Sequence, residues 1–382
     1  MGLHCYVHIP FCRSRCPYCD FFLVTRQDLQ ERFFSALNKE AAERLAAVHG
    51  STVHSVHFGG GTPSLVPASC LENWLVTLSR HVSLSGDAEV TIEANPEDLT
   101  TEKLHDFASL GVNRLSIGVQ SFMSEKLRAL GRVHTAAEAL QVTGEAMDLF
   151  GNVSVDLICG AEGETMDAWE RDLRTALSCG VPHISIYMLT LEKRTRLESF
   201  VKRGIVTLPD EQAQAAMYAR ACELLEAEGF EHYEVSNFSK PGFFSRYNLG
   251  CWHRESYLGF GPSAHSFRIT GRQEIRSVNV SSLIRYMASP RETQESNEML
   301  SEEAQINEKI FLSLRLSSGL KLDDLRHYHE DSSQVLETVE QFRAQGLLEI
   351  RNGVIKVSRK GFLFVDKVAE ELMPMRKVGG SQ

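Results

Sequence analysis

Over roughly the first 230 positions, short runs of β-branched and other apolar residues alternate with longer segments in which apolar residues recur every three or four positions. The runs at 3–9, 54–58, 89–94, 114–119, 152–158 and 183–189 predict six strands. Between the first two, Leu29 to Ala47 places Phe33, Phe34, Leu37, Ala41 and Leu45 on one face, the spacing of an amphipathic helix. Regular strand–helix alternation predicts a parallel sheet covered by helices. Eight such units close a full barrel, so six predict an α/β fold built on an incomplete (βα)6 barrel.

The pattern changes after about residue 295. Ser301-Glu302-Glu303 reads as a helix start with acids in its first turn, leading into Ile306 to Leu314. Leu320, Leu322 and Leu325 suggest a second short apolar face, and Val335 to Gln345 another amphipathic helix. Two apolar runs at 347–350 and 354–357 flank Arg351-Asn352-Gly353, a hairpin signal. Helices followed by a hairpin predict a small winged-helix-like α+β module. The expected division is therefore a barrel over 1–230, a barrel extension over 231–295 and the module over 296–376. The tail from Arg376 to Gln382 reads as a short disordered end.

With 382 residues, 43% of them hydrophobic, the chain can bury a large core. No run approaches the eighteen or so apolar residues of a membrane span. With the first strand beginning at Leu3 no secretion signal is expected, and nine cysteines are an odd number for a disulfide framework. Reduced cysteines and a cytoplasmic location are expected. The net charge of −10 argues against a broad nucleic-acid footprint. The helix at 335–345 offers only Arg343 and the hairpin tip only Arg351, so the module is expected to pack on the barrel or dock a protein rather than read DNA.

The unusual residues gather at the carboxyl ends of the predicted strands. The first strand leads into Cys12, Cys16 and Cys19, the second ends in Gly59-Gly60-Gly61-Thr62-Pro63 and the third in Glu93-Ala94-Asn95-Pro96. The fourth ends in Gly118-Val119-Gln120-Ser121, the fifth carries Asp156, and the sixth leads through Tyr187 to Thr190 and Glu192. In β/α barrels these ends share one face and build the site. Three thiolates in a C-x3-C-x2-C loop can hold three corners of a [4Fe-4S] cubane and leave the fourth iron open. A structural zinc site would want four closed ligands, and no second cysteine pair follows at a usual distance. The glycine triplet reads either as a flexible turn or as bare backbone for a ligand. Glu93 at a strand edge can accept hydrogen bonds from ribose hydroxyls. Arg132, in Gly131-Arg132-Val133-His134, can pair with a carboxylate in a bidentate way or be a solvated helix-start charge.

The cysteine loop is the signature of the radical S-adenosylmethionine (SAM) superfamily, whose SAM chelates the open iron through its amino and carboxylate groups. Tyr6, the cysteine loop, the Gly-Gly-Gly-Thr-Pro run, Ile92-Glu93-Ala94-Asn95-Pro96, Ser116 to Phe122 and Gly131 to His134 occur in that order. With Tyr233 to Gly242 and Tyr257 to Ser266, they resemble the coproporphyrinogen III oxidase-like branch over nearly the whole chain. The oxygen-independent coproporphyrinogen III dehydrogenases of that branch carry a longer N-terminal arm and a further cysteine two positions after the third ligand. Here that position is Phe21 and the arm is nearly absent, so the chain is more similar to the HemW-type heme chaperones.

By this resemblance, Cys12, Cys16 and Cys19 would hold a [4Fe-4S] cluster with Tyr18 beside it. Tyr6, Gly60, Gly61, Thr62, Glu93, Gln120, Arg132 and Asp156 would line SAM; for Tyr6 and Tyr18 the plainer reading is core packing with a satisfied hydroxyl. Heme, a heme-acceptor protein and an electron donor would be the partners. Oxidative decarboxylation of coproporphyrinogen III and radical SAM methyl transfer stand as alternatives, and cleavage of SAM is left open. The chain departs from the family at Tyr247-Asn248-Leu249-Gly250-Cys251-Trp252, where members usually show His-Asn-x-x-Tyr-Trp. Tyrosine and cysteine can still ligate heme iron, and His253 and His265 lie nearby. A second departure is Cys159-Gly160-Ala161-Glu162-Gly163, in place of the more usual Tyr-Gly-Leu-Pro-Gly.

Overall fold

Alternation within the early strands decides the architecture. In β1 (Leu3–Ile9) Cys5, Val7 and Ile9 are fully buried on one face while His4, Tyr6 and His8 take the other. The same division runs through β2 (Thr52–Gly60), β3 (Ser83–Ala94), β4 (Arg114–Gln120), β5 (Val153–Cys159) and β6 (His183–Met188). Val56 and Phe58, Val90 and Ile92, Leu115 and Ile117, Val155 and Leu157, and Ile184 and Ile186 join one core with the surrounding helices. Glu93, Ser116 and Asp156 occupy the opposite, inner face. Unlike a barrel filled with branched apolar side chains, this one has a polar interior with room for ligands.

The structure, a computed structural model, describes residues 2–374, so the expected disordered end at Arg376–Gln382 lies outside the described residues. Strands β1 to β6 are parallel neighbours in chain order. The helices Gln30–Ala46, Ala68–Ser79, Thr101–Ser109, Ala136–Phe150 and Met166–Ser178 lie between them in the chain. Two strands outrun their apolar cores: β2 starts at Thr52 and β3 at Ser83, because Thr52 and Val53 pair with Ser83 and Leu84. Ladder hydrogen bonds thus extend the sheet into polar sequence.

The arc does not close on itself. Beyond β6 lies the antiparallel hairpin β7 (Glu231–Glu234) and β8 (Asn237–Ser239). Beyond β1 lie parallel β9 (Ser256–Phe260) and then antiparallel β10 (His265–Thr270), β11 (Gln273–Asn279) and β12 (Gln294–Met299), completing a 12-stranded sheet. A carboxylate ties this second flank to the first barrel helix. Glu40, 1% exposed, accepts from Gly261 N (2.9 Å), Asn279 Nδ2 (2.7 Å), Tyr286 Oη (2.6 Å), Thr293 Oγ1 (3.1 Å) and Arg44 Nη1 (2.8 Å). Such saturation is what permits a buried charge. The short helix Arg246–Trp252 packs on β2 and β9, its first amides donating to Glu89 and its Tyr247 ring stacked 4.8 Å from His57 and 5.8 Å from Tyr6.

The C-terminal elements run helix Glu302–Ser313, β13 (Leu320–Lys321), helices Leu322–His327 and Ser332–Ala344, then β14 (Leu348–Arg351) and β15 (Val354–Val357). Their sheet order is β13-β15-β14, a winged-helix arrangement. Asn352 (φ 53°) and Gly353 (φ 74°) are both left-handed, as a two-residue hairpin turn of the mirror-image type requires. The module docks where Ser317 N donates to Tyr233 O (3.0 Å) and where His232 lies between Phe238 (4.2 Å) and Phe362 (4.6 Å). Among the described residues no helix is long and apolar enough to cross a membrane.

Candidate functional site

β1 delivers the chain directly into the cysteine loop, and the end of β2 is strapped against it. Gly61 N donates to Ile9 O and Thr62 N to Phe11 O, both at 2.8 Å. The return of the loop is held by Cys12 N to Val24 O (3.0 Å) and Val24 N to Pro10 O (2.7 Å). Arg15 donates to the carbonyls of Cys19, Phe21 and Leu23, each at 3.2 Å. From the barrel side, His8 Nε2–H donates to Phe22 O (2.9 Å), which leaves Nδ1 to accept from the Tyr6 hydroxyl (3.1 Å).

The glycine triplet is a packing requirement rather than a slack turn. A Cβ on Gly61 would stand 2.7 Å from the carbonyl carbon of Pro10 and 2.8 Å from Phe11 O. On Gly60, whose φ is +109°, it would meet His8 Nδ1 at 2.5 Å, and on Gly59 the Glu93 carboxylate at 2.7 Å. Only bare backbone lets β2 end this close to β1 and leave peptide groups facing the cavity.

That cavity measures about 600 Å³, within the size range of small-molecule sites. Cys12, Cys16, Tyr18, Cys19, Gly60, Gly61, Thr62, Glu93, Gln120, Arg132 and Asp156 all line it. Tyr6, the remaining expected residue, is not in its wall; it lies deeper, stacked on Tyr247 and bonded to His8. Among the described residues no three His, Cys, Asp or Glu side chains close on a point that could hold a single metal ion. The three thiols instead stand around one chamber.

A hydrogen-bond chain runs between two of those thiols. Arg132 Nη1 reaches Cys16 Sγ (3.7 Å) while its Nη2 donates to Asn95 Oδ1 (2.6 Å) and Gly118 O (3.1 Å). Asn95 Nδ2 donates to Thr62 Oγ1 (3.2 Å), and that hydroxyl donates to Cys12 Sγ (3.2 Å). Arg132 Nε is buried without a partner. Burial pushes the Cys12 thiol up to about 11, against the Thr62 hydrogen bond that lowers it. The donor set, three soft sulfur ligands beside a guanidinium, fits an iron–sulfur cluster.

The rest of the wall is acidic and hydroxylic. Burial alone would raise the Glu93 carboxyl, yet the His57 ring at 2.9 Å and Gly60 N at 3.1 Å hold it below its usual value. Burial pushes Asp156 up to about 6, with the charge of Glu93 adding to the shift and Ser116 Oγ, at 3.1 Å, opposing it. Gln120 ends β4 at φ 66°, a left-handed conformation rare for a side chain of its kind. Sequence reasoning missed Asn95 as a site residue, although it sits between Glu93 and Pro96 in a motif already marked. It also missed the pair of Glu97 and His134, bonded at 3.0 Å, for which only the adjacency of His134 to Arg132 offered a signal.

The candidate heme ligands lie elsewhere. Cys251 and Tyr247 line a second cavity of about 360 Å³ with Trp252, Tyr257 and Tyr187, the last of which also lines the first. Burial pushes the Cys251 thiol up to about 12. His253 and His265 are exposed and line neither cavity. Cys159 ends β5 fully buried among apolar neighbours and also rises to about 12 through burial.

Known proteins resemble this chain in both halves. The radical SAM superfamily matches residues 6–176 and the HemN C-terminal domain residues 300–364. The heme chaperone HemW of Lactococcus lactis is 34% identical over 96% of both chains, and that of Bacillus subtilis 33% identical over 95% of this chain and 97% of its own. The mitochondrial radical S-adenosyl methionine domain-containing protein 1 of Danio rerio is 42% identical over 68% of this chain and 59% of that protein. The solved coproporphyrinogen III oxidase HemN of Escherichia coli shares the fold, with a TM-score of 0.83 at 22% identity over 97% of this chain and 90% of that one. Nearly full-length identity to the bacterial proteins, joined to the cysteine loop and its glycine-strapped cavity, shows that the chain belongs to the HemW family of radical SAM proteins.

Proposed function

We propose that the protein is a heme chaperone that binds heme and hands it to acceptor proteins, with a [4Fe-4S] cluster and SAM in the central cavity. The observation that carries the cofactor assignment is the convergence of three cysteines, a glycine cradle and a buried arginine on one chamber. The heme role rests on kinship with the HemW proteins. Cys12, Cys16 and Cys19 hold the cluster and Tyr18 packs beside it. The backbone of Gly60 and Gly61 and the Thr62 side chain receive the methionine part of SAM, with Arg132 as the cation for its carboxylate. Glu93, held ionised, accepts from ribose hydroxyls, and Gln120 and Asp156 complete the wall. Tyr6 acts at one remove, orienting His8 and through it the cysteine loop. A cluster bound here supplies one-electron chemistry; the residues around it position SAM and exclude water. The proposal includes an electron donor and a reducing compartment such as the cytoplasm.

Hemin titrated into anaerobically reconstituted protein tests this reading. The expected result is a saturable Soret change, with heme retained after desalting and SAM recovered intact. Formation of protoporphyrinogen from coproporphyrinogen III under the same conditions, without heme retention, would move the assignment to the dehydrogenase.

A further inference from the structure

The mouth of the cluster cavity is apolar in a way that its floor is not. Phe21 and Val133 are each 64% exposed, the highest value among the large exposed hydrophobic side chains of the described residues, and both line this cavity. Tyr187, 44% exposed, stands between this cavity and the smaller one and lines both. Exposed apolar surface concentrated at one opening marks a binding surface rather than scattered surface residues.

Neither residue faces outward through slackness. Phe21 sits in the segment that Arg15 clamps by three carbonyls, with His8 bonded to the next residue, Phe22. Val133 is flanked by Arg132, anchored to Asn95 and Gly118, and by His134, anchored to Glu97 and Val119. The fold itself presents the two side chains, so little ordering entropy opposes a ligand that covers them. Arg13, its side chain 58% exposed, lines the same cavity and shares its charge with Asp98.

Resting on the heme-chaperone reading, we infer that heme is seated across the mouth of the cluster cavity, its apolar macrocycle against Phe21 and Val133 and a propionate toward Arg13. The other chamber is a poorer seat. Its Tyr247 ring, which a heme lying there would need as a face, is committed to stacking on His57 and Tyr6. The position two residues after the third cluster cysteine thereby has a role here as an apolar contact.

Hemin titration of cluster-loaded protein, followed at the Soret band, tests the placement with Phe21→Ser, Val133→Ser and Cys251→Ser. Cluster absorbance and SAM binding by equilibrium dialysis serve as controls. Each mouth variant is expected to weaken hemin about tenfold, the worth of one covered apolar side chain, with Cys251→Ser unchanged. If Phe21→Ser loses cluster, Val133→Ser decides alone. Unchanged hemin affinity in Val133→Ser with loss in Cys251→Ser would overturn the placement and leave the chaperone reading standing. Absence of saturable hemin binding in the wild type would overturn that reading, and the placement with it.

Discussion

Asp156 stands in a wall of hydroxyls with Glu93 two strands away, and its environment favours the neutral acid. Burial first, and then the Glu93 charge, move it up to about 6, whereas an unfolded carboxyl ionises at about 4. Between those values the folded chain binds more protons than the unfolded one, so this group's contribution to stability falls as pH rises from about 4 to about 6 and is level above. Thermal melts of the cluster-free protein across that window should show the decline, and Asp156→Asn should make it shallower, leaving the share of Glu234, which burial raises to about 7. A variant whose slope matches the wild type would place the titration on another group. Sequence showed the chemistry at single positions: thiols, glycines, an arginine. It did not show Asn95 as the joint between Arg132 and Thr62, because a side-chain amide reveals its partners only when the strands bearing them are adjacent.

At the scale of elements, the contact between the ends of β1 and β2 does most to define the site. The Cβ positions of Gly61 fall among backbone atoms of Pro10, Phe11 and Ile9, which cannot rotate away. Gly61→Ala should therefore lower both stability, by about 1–3 kcal/mol as for overpacked cores, and SAM affinity. Gly86→Ala, with nothing within 4 Å and no positive φ, is the control expected to stay neutral. Urea denaturation and equilibrium dialysis would measure the two effects, and an unaffected Gly61→Ala would mean that the triplet is only a turn. Six strands were legible from local alternation because period-two patterning needs no distant partner. The pairing of β9 with β1 was not, since it joins Leu3 to Ser256 across most of the chain.

For the whole molecule, cohesion of the flanks with the barrel depends on a few buried polar joints. Glu40 gathers donors from four separate places in the second flank as well as Arg44 of its own helix. Glu40→Ala removes the acceptor used in the core by Gly261 N, Tyr286 Oη and Thr293 Oγ1 and breaks the buried pair with Arg44, which should cost about 3–5 kcal/mol, read as a lower urea midpoint and faster proteolysis between Gly261 and Thr293. A loss below about 1 kcal/mol would show that the flank is held by its apolar contacts alone. On the opposite flank, His232 between Phe238 and Phe362 joins the C-terminal module to the β7–β8 hairpin. Neither joint could be read from sequence, where Glu40 is one more acid on an amphipathic helix and His232 a lone histidine.

Sequence by itself determined the six-unit α/β arc, the cysteine loop with its likeness to radical SAM proteins, and the C-terminal hairpin. All three are written in local spacing: alternation, a fixed cysteine interval, and a turn whose two central residues tolerate positive φ. Tertiary structure alone decided depth and neighbourhood. It placed Tyr6 below the cavity, divided the heme candidates from the cluster chamber, and held Phe21 and Val133 outward at its mouth. Those outcomes depend on how strands far apart in the chain come into register, and on which side chains that register brings within hydrogen-bonding distance.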